Sequence, residues 1–211
     1  MMAPTHAFAG LALAAALTLV APQFAGVLAV AAIAGGVFPD LDLYAGHRRT
    51  LHFPVYYWLL AVPASVVAVL VPTDATVTVA VFLLAAALHS FMDVFGGGLE
   101  LKPWRESSDR AVYSHYHGRW LAPRRWVRYD GSPTDLVLAA VLAVPGLVVF
   151  DGIVRTVTIA LLAVGVGYVL VRKPLVVVAE WLLERLPEPV LEYLPEQFLP
   201  IEDSDLERIR D

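Results

Sequence analysis

The sequence predicts an all-α integral membrane protein: a bundle of about six transmembrane helices with a polar cytoplasmic loop and a C-terminal interfacial helix and tail. Three observations predict it. Of the 211 residues 58% are hydrophobic, and the mean hydropathy of +0.66 is above that of a soluble domain. Several apolar stretches are long enough to cross a hydrocarbon core of roughly 30 Å at about 1.5 Å per residue. The basic residues are also divided very unevenly between the loops that these stretches leave.

The first apolar region, Thr5 to Phe38, is too long for one span, since a single helix would measure about 50 Å. Ala21-Pro22-Gln23 divides it into a hairpin of two shorter helices, with Pro22 placed to open the second. No Lys or Arg precedes Arg48, so the basic region of a secretory signal peptide is missing and the hairpin is expected to stay in place. Phe53 to Val71, Val77 to Phe95, Leu136 to Phe150 and Val154 to Val171 supply the other four spans. Ser132-Pro133-Thr134-Asp135 reads as a helix start, with Ser132 as N-cap and Asp135 reaching back. Pro145-Gly146 should kink the fifth span, and Pro174 should interrupt the chain after the sixth. The expected division is therefore a membrane domain over 1–173, with its polar loop at about 96–132, and an interfacial helix and acidic tail over 174–211. Trp181 with Glu180 and Glu184 suggests the interfacial helix, and Leu-Pro-Glu steps at Leu186 and Leu194 punctuate the tail.

With the hairpin in place, the N-terminus, the 39–52 loop, the long loop and the tail share one face. Arg155 is the only one of the 15 Lys and Arg residues assigned near the other face. The positive-inside rule makes the polar face cytoplasmic, with both termini on it, in a cell (inner) membrane. The net charge of −5 comes largely from the tail and points to no nucleic-acid partner. There is no cysteine, which excludes disulfides, thiolate metal sites and cysteine nucleophiles.

Chemistry is suggested by what gathers on that face. His89 and Asp93 stand four apart at the end of the fourth span, so they project from one helix face and can bind the same ion. An Asp in a membrane helix costs about 2.5 to 3.5 kcal/mol at the centre and less toward the ends. Pro39-Asp40-Leu41-Asp42 ends the second span, and Gly46-His47-Arg48-Arg49-Thr50-Leu51-His52 leads into the third. Each motif alone reads more simply as a turn or a solvated membrane boundary. His6 opens the first span, with Thr5 as a candidate N-cap. His115 and His117 lie in the long loop on the same face, near Arg119, Arg124, Arg125 and Arg128, which could hold a phosphate or contact anionic headgroups. The convergence of these groups, rather than any one residue, is the signal.

In this order, His6-x-x-x-Gly10, Pro39-Asp40-Leu41-Asp42, Gly46-His47-Arg48-x-x-x-His52 and His89-x-x-x-Asp93 with its glycine-rich sequel through Pro103 resemble the motifs of the YdjM-like family. That family is described as LexA-binding, inner-membrane-associated and hydrolytic with a metal, and it is more distantly similar to zinc-dependent phospholipases C and single-strand nucleases. The resemblance covers about the first half of the chain. It implies His6, Asp40, His52, His89 and Asp93 as metal ligands, with Asp42, His47 and Arg48 facing substrate or supporting the ligands. The chain departs from those enzymes in carrying only one His-x-x-x-acid pair, and His115 and His117 have no spacing that would make them replacements.

The first functional expectation is thus a membrane-bound hydrolase that uses two divalent ions, Zn or Mn, on a phosphoester or related bond, with membrane lipid around it and a lipid or other phosphoester as substrate. The alternative is a non-enzymatic membrane protein with a closed structural metal site that docks a cytoplasmic protein partner. A transporter ranks last, because its charged groups should lie near the bilayer midplane.

Overall fold

A computed structural model describes residues 1–187 and Val190. Six helices follow in order: α1 (Ala3–Thr18), α2 (Ala25–Val37), α3 (Tyr56–Leu70), α4 (Asp74–Met92), α5 (Pro133–Val149) and α6 (Gly152–Leu183). Each falls on one of the apolar stretches. Pro22–Asp42, Asp74–Phe95 and Gly152–Leu183 are long and apolar enough to cross a membrane, whereas α1, α3 and α5 are shorter apolar helices.

The N-terminal region is a hairpin, as Pro22 implies. α1 ends at Thr18, and a 3-10 turn over Pro22–Phe24 leads into α2. The two helices run antiparallel with their backbones nearly in contact: Gly10 lies against the Ala32 carbonyl and Gly36 against the His6 carbonyl. A Cβ on Gly36 would stand 2.7 Å from the His6 oxygen, and one on the adjacent Gly35 would strike the Phe82 carbonyl of α4. Small residues thus bring α1, α2 and α4 together where large ones could not. α1 is central, packing against α2, α4 and α5, with Phe8 and Leu11 fully buried. Leu11, Leu28, Val81 and Phe150 fill an apolar core toward the end with the short connections. The polar groups occupy the other end.

Four details differ from expectation. α1 begins at Ala3 after Met2, not after Thr5, because Pro4 in the first turn already suits a helix start. The Thr5 hydroxyl donates instead to Asp135 Oδ1 at 2.7 Å. Ser132 caps α5 as expected, but the Asp135 carboxylate accepts from Met2 N at 2.8 Å and Gly131 N at 3.1 Å, tying the start of α5 to that of α1. α6 continues through Pro174 for 32 residues. Proline removes one backbone bond and costs about 3 kcal/mol, while contacts flank it: Trp104 lies under Arg172 and Lys173 at 5.7 and 5.5 Å, and Lys102 pairs with Glu180. α5 runs from Pro133 to Val149 with Pro145 inside it. Finally, the long loop contains an element not expected from the sequence: β1 (Val112–Ser114) and β2 (Arg119–Leu121) form an antiparallel hairpin turned at Gly118, whose φ is +63°. The fold is mostly helical, with this small hairpin in its polar loop. The acidic tail beyond Val190 lies outside the described residues.

Candidate metal centre

The site forms where three helix ends meet two turns. His89 and Asp93 come from the last turn of α4 and the 3-10 turn that follows it. The 3-10 turn Phe38–Asp42 at the end of α2 supplies Asp40 and Asp42. The segment leading into α3 supplies His47, Arg48 and His52. One donor atom from each of Asp40, His52, His89 and Asp93 lies within 4.8 Å of every other, and three of these four residues are buried. His52 Nε2 is 3.2 Å from His89 Nε2, 3.3 Å from Asp93 Oδ2 and 3.8 Å from Asp40 Oδ1. His89 Nε2 is 3.4 Å from Asp40 Oδ1 and 3.5 Å from Asp93 Oδ2. Tetrahedral nitrogen and oxygen ligands at about 2.0–2.1 Å from a zinc ion would be separated by about 3.3 Å. Five of the six edges are therefore close to what one small divalent ion needs.

The protonation pattern points the same way. His89 Nδ1 is 2.6 Å from the Gly36 carbonyl, which can only accept, so this nitrogen carries the proton. His52 Nδ1 is 3.0 Å from Asp42 Oδ2, an arrangement that orients a metal-binding imidazole. With these Nδ1 contacts in place, the Nε2 atoms of both rings are the ones turned into the common space, 3.2 Å apart. Asp93 Oδ2, buried there as well, has no hydrogen-bond partner. A cation placed between the four donor atoms could be shared by all of them.

Asp42 lies outside the four-donor group and ties together the residues around it. Its buried carboxylate accepts from His52 Nδ1, His47 Nδ1 at 3.0 Å, Leu51 N at 3.0 Å and Arg48 N at 3.3 Å. Arg48 has a left-handed backbone, with φ at 59°, and its Nη1 donates to the Gly97 carbonyl at 2.9 Å. Its Nε lies 3.8 Å from Asp93 Oδ2 and has no hydrogen-bond partner. Burial opposes the Arg48 charge, but the carboxylates of Asp93, Asp130 and Asp40 outweigh it and hold its pKa above the ordinary value.

Four of the five expected ligands thus come together, and the fifth stands beside them. His6 Nε2 is 3.1 Å from Asp93 Oδ1, the oxygen turned away from the histidine pair, and the Met1 amine reaches that oxygen at 2.8 Å. The His6 ring stacks on His89 with centroids 3.6 Å apart. His6 therefore braces two donors from outside the four-donor group. A two-ion cluster is not seen: the described residues form one such group. His115 and His117 do not enter it. His115 Nε2 binds the Arg49 carbonyl at 2.7 Å and His117 Nδ1 the Ser114 hydroxyl at 2.8 Å, while Tyr113 N donates to the Arg48 carbonyl at 2.9 Å. The β-hairpin thereby clamps the His47–His52 segment. Of the loop arginines, Arg125 is spent on the Glu106 and Ser108 carbonyls.

Sequence reasoning missed Gly36, whose backbone carbonyl fixes His89. The Gly35-Gly36 pair at the end of an apolar helix was the available signal. It also missed a cavity of about 540 Å³ that shares Asp40, His47 and Arg48 with the site and is closed on another side by Tyr168 and Arg172 of α6.

Comparison with known families, with curated proteins and with solved structures returns no match. The resemblance to the YdjM-like family rests on the motifs alone.

Proposed function

We propose that the protein is a membrane-bound, metal-dependent hydrolase acting on a phosphoester or related bond at the cytoplasmic membrane face, with all six helices spanning and both termini cytoplasmic. The observation that carries it is the set of four candidate ligand atoms, two imidazole nitrogens and two carboxylate oxygens, all within 4.8 Å of one another beside a cavity. Asp40, His52, His89 and Asp93 would hold the ion. Nitrogen and oxygen donors of this kind suit Zn or Mn. A divalent ion supplies Lewis acidity toward a substrate oxygen and makes a water more acidic.

The other residues have separable duties. Asp42 fixes His52 and His47 at once, and His6 braces Asp93 and His89. Arg48, a cavity-lining guanidinium whose Nη1 is anchored on the Gly97 carbonyl, binds the anionic group of the substrate. His47, held through Nδ1, is the cavity-lining imidazole available to move a proton. Asp40, whose side chain is 20% exposed, is the donor that lines the cavity and the one able to yield a coordination position.

That same count of donors favours a second reading. Four protein ligands can close a tetrahedral site, and a closed site is structural, suited to a membrane protein that docks a cytoplasmic partner. Metal analysis of purified protein, followed by a phosphodiester, phospholipid and nucleotide panel, separates the two. About one zinc or manganese per chain is expected, lost in His89→Ala and Asp93→Ala. Metal content unchanged by both substitutions sinks the site, and bound metal without turnover supports the structural reading. Reporters fused to both ends test the topology; opposite sides would defeat it.

A further inference from the structure

The cavity beside the donor group has walls of two kinds. At one end stand Asp40, His47 and Arg48; along one side Val164, Tyr168 and Arg172 form a single stripe of α6, four residues apart. The stripe is about 12 Å long. Its charge is cancelled internally, since Arg172 Nε meets Asp130 Oδ2 at 3.0 Å and the Tyr168 hydroxyl donates to the same oxygen at 2.6 Å. Burial would raise the Asp130 carboxyl, but Arg172 and Tyr168 outweigh it and hold it below the ordinary range. Arg48, whose Nε lies 3.8 Å from Asp93 Oδ2, therefore remains as the cationic side chain at the donor end, while Met2, Leu43, Leu101 and Val164 make the cavity surface mainly apolar. The cavity is open to the outside, and its rim is exposed: Val164 at 58% and Leu43 at 36%. Val164 lies within the apolar run of α6, the helix least buried in the bundle among the three long enough to cross a membrane.

We infer that the cavity takes a membrane amphiphile, an anionic phosphoester head at the donor group and Arg48 with its hydrocarbon chain along the Val164–Arg172 stripe, entering sideways between α6 and Leu43. The inference rests on the hydrolase reading for the place of the head. A free sugar phosphate or nucleotide would leave the apolar wall wet. An alkyl chain covers it and gains from leaving water or from replacing lipid already there.

The test measures binding of octylphosphonate and ethylphosphonate to zinc-loaded protein in a non-ionic detergent, for wild type, Val164→Trp and Val164→Ala. Octylphosphonate should bind at least about tenfold more tightly than ethylphosphonate. Val164→Trp, which fills the chain's path from an exposed position, should remove that advantage while leaving zinc content and ethylphosphonate binding intact; Val164→Ala should keep it. Equal affinity for the two probes overturns the inference, as does an advantage that survives Val164→Trp. The hydrolase reading fails separately, if protein that binds these probes turns over no phosphoester.

Discussion

The two halves of the bundle are built on opposite rules. In the first half, α1, α2 and α4 meet through glycine and alanine with backbones in contact, and His6, His89, Ser90 and Asp93 are buried among them. In the second, α6 presents long apolar side chains outward, with Ile153, Val164, Leu170 and Val177 exposed. Tight packing holds donor atoms to fractions of an ångström, which a metal centre needs. A loosely packed apolar helix suits a wall facing lipid. The difference teaches where substitutions should hurt, and in which currency.

The largest effect after loss of a ligand itself is expected at Asp42. Asp42→Asn keeps the shape but loses the charge that orients His52, and metal affinity should fall about 10- to 100-fold. Titration with a competing chelator measures this; an unchanged affinity would mean that His52 needs no carboxylate behind it. Next comes Gly36→Ala, which drives a methyl group against the His6 carbonyl and should cost about 1–3 kcal/mol by overpacking. Because Gly36 also holds His89, metal affinity should drop with stability, and a loss confined to one of the two would separate packing from coordination.

Gly167→Ala sharpens the contrast from the other side. Gly167 lies in α6 with nothing near the space a Cβ would take, so alanine should stabilise by about 0.5–1 kcal/mol. A destabilised variant would reveal a close neighbour on that face. The smallest effect lies in the loop joining the halves. Burial pushes the Glu100 carboxyl above its ordinary value. Its contribution to stability is then full below the unfolded pKa and is lost as pH rises through the raised native one. Glu100→Gln should raise the thermal midpoint at about pH 8 and leave it nearly unchanged at about pH 4. Equal shifts at both pH values would place its effect in packing instead.

The donor group was legible one residue at a time. The i, i+4 pair His89–Asp93 follows from helix geometry alone, and the hairpin at Pro22 brings the end of α2, with Asp40, to the end of the bundle that holds the pair. The division of labour was not legible. His6 and Asp42 carry the same ligand atoms as His89 and Asp40, yet one braces and the other orients, because the direction of a side chain depends on packing and not on residue type. Pro174 was misread for the same reason, since the contacts of Trp104 and Lys102 that flank it come from a loop about seventy residues away in sequence.

By itself the sequence determined the helices, their apolar character and the polar end, since hydrophobic run length and proline positions are local properties. The tertiary structure alone decided which four atoms share a space, that Gly36 lends its carbonyl to His89, and that α6 walls a cavity beside them. Those outcomes depend on backbones approaching across tens of residues of intervening chain, a distance over which no local pattern carries geometry.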